Sequence, residues 1–332
     1  MVIGRNEGER LRRCLAGLGE DLASTVYVDS GSSDGSVSLA RALGVEVVAL
    51  DGQRPFTAAR ARNAGLARLR ELVPDLELVQ FLDGDCVMAE DWLVRARSAM
   101  AADASLAVVC GRRRERFPDA TVYNLLCDIE WNAPPGLAQA CGGDALMRIG
   151  ALVEAGGYDE SMIAGEEPEL CLRLRQRGHR ILRIAADMTL HDAHITHFAQ
   201  WWKRTVRSGH AYAEGFAMHR RDPGGFWARE VRSNFAWGLL LPLCVLALSL
   251  AWVWLVTLAL AAYPMLALRV LRAGRRRGLS SREARLWASF VVLGKLPSAL
   301  GQCQYYWRRW RGRRSLLIEY KGAASKPSGD GG

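Results

Sequence analysis

Between Asn234 and Arg269 the chain carries no charged side chain. A membrane helix needs about 20 apolar residues, so this stretch is too long for one straight span and just long enough for two. The sequence predicts a hairpin, turning near Ser249–Trp254, with Pro242 and Pro264 tolerated inside its arms. Arg269, Arg272, Arg275, Arg276 and Arg277 follow at once. Basic residues beside a membrane segment stay in the cytoplasm, and a hairpin returns the chain to its starting side. The part that precedes the hairpin is then cytoplasmic as well, whereas a single tilted span is the alternative that would place it opposite.

The 332 residues carry a formal net charge of +9, concentrated in Arg269–Arg285 and Arg308–Lys321, both next to apolar segments. Clustered Arg in that setting fits anionic lipid headgroups better than nucleic acid, and no basic patch interleaved with aromatics points to nucleic-acid binding. The eight cysteines are scattered, without metal-finger spacing, and read as reduced thiols of a cytoplasmic protein. No signal peptide opens the chain, and Met1-Val2-Ile3-Gly4 reads as the tail of a strand, which leaves an upstream start open.

Five regions are expected. Residues 1–198 form an α/β domain. Residues 199–232, rich in Trp, Tyr, Phe and Arg, form amphipathic helices suited to a membrane interface. Residues 233–271 form the membrane hairpin. Residues 272–324 hold a basic loop and an interfacial helix over Leu286–Leu300, whose apolar run is broken by Lys295 and Pro297. The polar, Gly-rich residues 325–332 form a disordered tail.

Within residues 1–198, short apolar runs alternate with amphipathic ones, the pattern of βα units around a mainly parallel sheet. Strands are predicted at Val2-Ile3, Thr25–Val28, Val45–Leu50, Leu76–Leu82 and Leu106–Cys110. Helices are predicted at Glu9–Leu18, Val37–Leu43, Thr57–Leu72, Asp91–Met100, Ile149–Ala155 and Pro168–Arg177, the last closed by Gly178-His179.

Asp83-Gly84-Asp85 stands where the fourth strand emerges. Two carboxylates two apart repel unless they are solvated or neutralised. Mg²⁺ or Mn²⁺ carrying a diphosphate neutralises such a pair, because these cations bind through one or two carboxylates plus substrate phosphates. A solvated Asp-Gly turn is the alternative. Gly4-Arg5-Asn6-Glu7-Gly8-Glu9 leads into a helix whose free N–H groups suit an anion. Val28-Asp29-Ser30-Gly31-Ser32-Ser33-Asp34-Gly35-Ser36 lies outside the carboxyl end of a strand, where open α/β sheets bind ligands. Arg62, in Ala59-Arg60-Ala61-Arg62-Asn63-Ala64-Gly65-Leu66, is a charge-assisted donor within reach of a phosphate.

Taken in order, NEGE, VDSGSSDGS, ARNAGL, FLDGDC and GEEPEL resemble a family 2 glycosyltransferase of the GT-A fold, over about residues 2–195. The resemblance implies a nucleotide-diphospho-sugar site that includes Asn6, Glu7, Asp29 at the base, Asp83 at the ribose and Arg62 at the nucleotide or phosphate. It implies Asp85 as ligand of Mg²⁺ or Mn²⁺, with His191, or His194 as the alternative, completing the metal site. Glu167 matches the catalytic base, in a Glu166-Glu167 pair where the family usually carries Glu-Asp. Asp144, Glu166 and Trp202 are implied acceptor contacts. Gln200-Trp201-Trp202-Lys203-Arg204 lacks the Arg-Trp pair of processive synthases, so processive polymerisation is not implied.

The reading is an inverting transferase anchored in the inner, cytoplasmic membrane, acting on a lipid-linked or glycan acceptor. Its rivals are a catalytically inactive GT-A subunit that binds nucleotide sugar in a membrane complex, and a nucleotidyltransferase.

Overall fold

The computed structural model describes residues 1–222, 224–249, 253–313 and 318. These divide into two compact units. One comprises Met1–Pro118 and Glu130–His194, and the other Asp119–Ile129 with the helices that follow Ile195.

The first unit is built on one mixed sheet. Its strands are β1 (Val2–Gly4), β2 (Val26–Asp29), β3 (Glu46–Ala49), β4 (Leu78–Asp83), β5 (Cys86–Met88), β6 (Leu106–Glu115), β7 (Gly136–Leu137), β8 (Ala145–Arg148) and β9 (Arg180–His191). They lie in the order β3-β2-β1-β4-β8-β6-β9-β5, with β7 also on β9. The β3-β2-β1-β4 half is parallel, as βα alternation requires. Beyond β4 the sheet departs from the expected mainly parallel pattern, because β8 enters antiparallel to both β4 and β6, and β5 and β7 run antiparallel to β9. Buried Val2, Tyr27, Val28, Phe81, Leu82, Val108, Val109 and Met147 form the centre of the core.

Several boundaries differ from the sequence reading for local reasons. β6 runs on past Cys110 to Glu115, because β9 keeps pairing with it through register shifts. The helix expected at Pro168 begins two residues earlier, over Glu166–Gln176, with Gly165 left-handed (φ 83°) before it. Proline is at home in a first turn, where its missing N–H has no partner to lose. Gly178 (φ 88°) closes that helix by donating to Arg175 O, while His179 donates to Leu174 O.

The second unit is helical. Phe198–Met218 packs along Lys295–Trp310, and glycines allow the backbones to touch. A Cβ on Gly209 would collide with the Ser298 carbonyl, and one on Gly301 with the Val206 carbonyl. Ala228–Phe235 continues through a wider π turn at Ala236–Leu240 into Leu241–Ser249. The turn precedes Pro242, whose ring cannot follow a regular turn without a clash. Val253–Leu260 and Ala262–Arg276 return alongside, and Tyr263 Oη donates to Trp237 O at 2.8 Å. By length and composition, Ala228–Ser249 is long and apolar enough to cross a membrane (mean hydropathy 1.6). Residues 250–252 of the expected turn, and the expected tail 325–332, lie outside the described residues.

The expected basic loop is helical at both ends. Arg269, Arg272, Arg275 and Arg276 occupy the last turns of Ala262–Arg276. The run expected as one interfacial helix is split at Gly294 into Ser281–Leu293 and Lys295–Trp310.

Candidate functional site

Strand register assembles the site in the first unit. Cys86 pairs with His191, which sets Asp85 beside the end of β9. Asp192 N donates to Asp85 O at 3.1 Å. His191 Nε2 then lies 3.2 Å from Asp85 Oδ2, and both side chains are buried. Glu115 pairs with His191 across β6 and β9, and its Oε2 is 4.0 Å from His191 Nδ1.

Arg62 is buried on the helix Ala58–Leu72 and links three acids. Its Nη2 reaches Asp83 Oδ1 at 3.0 Å, and its Nη1 reaches Glu166 Oε1 at 2.8 Å and Glu167 Oε1 at 3.0 Å. The neighbouring Asn63 staples the loop that leads to the two glutamates, donating to Tyr158 O at 2.8 Å and accepting from Tyr158 N at 2.9 Å. Glu166 is buried, whereas Glu167 keeps 15% of its side chain exposed. Burial and the adjacent Glu166 push the Glu167 carboxyl up to about 7, against the opposing pull of Arg62. A carboxyl poised there at neutral pH is well matched to general-base work.

The two N-terminal loops are clasped together. Asn6, in a left-handed conformation that Asn tolerates, accepts from Ser33 N at 2.7 Å and donates its N–H to Ser32 Oγ at 2.8 Å. Asp29 shapes the second loop from within. Its Oδ2 accepts from Gly31 N and Ser32 N, and its Oδ1 accepts from Tyr27 Oη. Glu7 pairs with Arg10 at 2.9 Å.

Asp144 does not meet the expectation of an acceptor contact. It is fully buried, and both oxygens are engaged. Oδ1 accepts from Asp83 N at 2.9 Å, and Oδ2 accepts from Thr189 Oγ1 at 2.7 Å and lies 2.8 Å from Arg113 Nη2. It is a fastener between β4, β6 and β9. Trp202 belongs to the helical unit, where its ring packs 5.8 Å from that of Phe198, and it is not among the residues that the first unit brings together.

Four further residues belong to the site and were not expected. Arg113 Nη2 lies 3.0 Å from Asp83 Oδ2, and the guanidinium stacks 5.6 Å from the Trp131 ring, which itself packs edge-on to His191 at 4.7 Å. Glu115 is buried, with burial raising its carboxyl, and it accepts from Phe117 N and Ala193 N. Cys86, held as a thiol by burial, donates to Asp85 Oδ1 at 3.7 Å. The signal for Arg113 and Glu115 was their spacing, since residues two apart on a strand share a face.

The residues fit a divalent cation. Asp85, Cys86 and His191 place donor atoms within 4.8 Å of one another. Burial holds the His191 imidazole down to about 4, so the ring is neutral and carries one proton. With the proton on Nε2, the buried Nδ1, which has no hydrogen-bond partner, turns a lone pair toward Glu115. With the proton on Nδ1, Nε2 and Asp85 Oδ2 confront each other as two acceptors. A cation between Asp85 and Nε2, with the proton on Nδ1 toward Glu115, resolves both conflicts, and carboxylate plus imidazole is a donor set that suits Mn²⁺.

A mixed α/β sheet of the GT-A-like kind, with acidic residues clustered at the ends of its strands, defines the class. Residues 1–143 match the model of the family described as Glycosyl transferase family 2. The succinoglycan biosynthesis protein ExoA of Rhizobium meliloti is 28% identical over 228 residues, spanning 65% of this chain and 67% of that protein. The pre-mycofactocin glycosyltransferase of Mycobacterium tuberculosis is 27% identical over 173 residues, 48% of this chain and 35% of that relative, so the match spans about a third of its length. The mannosyltransferase PcManGT of Pyrobaculum calidifontis, solved with GDP-Man and Mn²⁺, shares the fold with a TM-score of 0.58 at 18% identity, covering 93% of this chain and 87% of that one. The chain is a glycosyltransferase.

Proposed function

We propose that the chain is an inverting glycosyltransferase that moves a sugar from a nucleotide-diphospho-sugar to a hydroxyl of a lipid-linked acceptor in glycan biosynthesis. The carrying observation is that one unit holds both a cation-ready Asp85–His191 pair and the poised carboxyl of Glu167, joined through Asp83 and Arg62. Mg²⁺ or Mn²⁺, held by Asp85 and His191, would supply Lewis-acid neutralisation of the leaving diphosphate. Asn6, Glu7 and Asp29 line the loops for the nucleotide, and Asp83 faces the ribose. Glu167 takes the acceptor's hydroxyl proton, and that oxygen attacks the anomeric carbon opposite the diphosphate. The bond from that carbon to the diphosphate oxygen breaks, its electron pair leaves with the nucleoside diphosphate, and the configuration inverts.

The lipid-linked acceptor is supported by the apolar hairpin in the same chain, since tethering an enzyme to the bilayer raises the local concentration of membrane-borne substrates. ExoA, the relative that serves succinoglycan biosynthesis, supports a glycan product. The anchoring membrane is proposed to be the inner membrane, with the catalytic unit in the cytoplasm.

The test is a donor screen on the detergent-extracted full chain with Mn²⁺ and a membrane lipid extract. Nucleoside diphosphate release and the product's anomeric configuration by NMR are the readouts. Inversion is expected. Pyrophosphate release, retention of configuration, or donor binding without turnover overturns the proposal.

A further inference from the structure

The apolar hairpin has a geometry of its own. Trp237 and Tyr263 are joined by the Tyr263 hydroxyl and by their rings, which brings the two arms together at that point. Counted along the chain from that bond, Arg232 stands five residues before Trp237, and Arg269 six residues after Tyr263. Each arm therefore meets its first arginine five or six residues from the bond. From Arg232 to Ser249 the arm rises about 26 Å at ~1.5 Å per residue. A hydrocarbon core is about 30 Å thick. Ser249 to Trp254, the residues around the midpoint, include no charge and one hydroxyl, whereas a turn that emerges into water needs polar residues.

A second element marks the level of the membrane surface. Leu296, Leu300, Trp307 and Trp310 are exposed and, spaced four, seven and three residues apart, share one stripe of Lys295–Trp310. Arg308, Arg309 and Arg311 flank them, and the Arg311 guanidinium lies 4.2 Å from the Trp307 ring. Trp and Arg on an amphipathic helix belong at the headgroups. The start of this helix is fastened to the hairpin mouth, where Lys295 Nζ donates to Ser233 Oγ and Asn234 Oδ1, each at 3.0 Å. On the arms, Leu240, Leu243, Leu246, Leu260, Met265 and Leu268 are exposed.

We propose that residues 233–268 form a re-entrant hairpin that enters the bilayer from one face, turns inside the hydrocarbon and leaves by the same face, with Lys295–Trp310 lying on that face. The proposal deepens the membrane-anchored reading above and depends on it for the presence of a bilayer, but not for sugar transfer.

The test uses the full chain with Cys244 and Cys303 replaced by Ser, the two cysteines that are not buried. Single cysteines are placed at Arg229, Ser249 and Arg272, and a membrane-impermeant maleimide is applied to spheroplasts and to inverted vesicles. Positions 229 and 272 are expected to react from one and the same side. Position 249 is expected to react from neither, yet to react with permeant N-ethylmaleimide. Reaction at 249 from the side opposite 229 and 272 means a full crossing, and 229 and 272 on opposite sides means a single span. Release of the chain by alkaline carbonate means no insertion. Any of the three overturns the proposal, and nucleoside diphosphate release in the same membranes reports the transferase reading separately.

Discussion

Arg62 Nη1 stands 3.0 Å from Glu167 Oε1, an ion pair that joins the helix Ala58–Leu72 to the first turn of Glu166–Gln176. With Asp83 on its other nitrogen, Arg62 ties Asp83 to Glu167, the two residues proposed to face the ribose and to act as base. Glu167→Gln keeps the shape and one hydrogen-bond acceptor but removes the basic oxygen. Transfer is expected to fall by roughly 10²–10⁴-fold with donor affinity unchanged, as read by single-turnover kinetics and calorimetric donor titration.

The pH profile follows from the same pair. The active form of Glu167 is the carboxylate, and its carboxyl sits at about 7. The value of kcat/KM is therefore expected to rise with pH and level off above that point. Arg62 is the cation that pulls the value down, so Arg62→Met is expected to move the rise to higher pH. The folded chain holds this proton more tightly than a free glutamate does. Glu167's contribution to stability is thus present at low pH and lost as pH rises through about 7.

The cation site predicts a graded series. Asp85→Asn and His191→Ala are each expected to abolish Mn²⁺ binding, measured by electron paramagnetic resonance. Glu115→Gln, which changes the group behind His191, is expected to weaken it by about 10–100-fold. Equal Mn²⁺ affinity in Asp85→Asn and the unaltered chain would remove Asp85 from the site.

Arg113 neutralises a fully buried carboxylate on Asp144. Removing one partner of a buried pair costs about 3–5 kcal/mol, so Arg113→Ala should lower the unfolding midpoint sharply. Asp144→Asn should also destabilise. A normal melting temperature combined with a raised acceptor KM in Asp144→Asn would return this residue to the acceptor site.

Gly143 is a steric probe of the proposed donor site. A Cβ there would stand 2.6 Å from Arg62 Nη2 and 2.7 Å from Asp83 Oδ2, while one on Gly142 meets nothing within 4 Å. Gly143→Ala is expected to displace that ion pair and weaken donor binding, and Gly142→Ala to leave it intact. Calorimetry with nucleoside diphosphate distinguishes the two.

The N-terminal half of the sheet was legible because its signals are local. Each strand there ends on a polar loop that the sequence shows, and parallel βα units need no distant partner to be recognised. β5 and β8 were harder, because they are short and pair with residues roughly 65 to 105 positions away, and so was β9, whose long run pairs only with distant strands. The stretch from Arg112 to Gly136 had no reading at all. It ends a long strand, forms the helix Val122–Trp131 and adds β7, and it brings in Arg113, Glu115 and Trp131.

By itself the sequence singled out Asp83, Asp85, Glu166, Glu167 and His191 as candidate site residues, through the motifs and the resemblance they stand in, and it set apart an uncharged stretch too long for one span. Only the tertiary structure decided what these carboxylates pack against. Burial and antiparallel pairing turn Asp144 into a fastener rather than an acceptor contact. They set His191 against Asp85 and let Arg62 hold Asp83 and Glu167 at once. A carboxylate's role depends on what is packed within a few ångströms of it and on how much water reaches it, and both are fixed by residues far away in the chain.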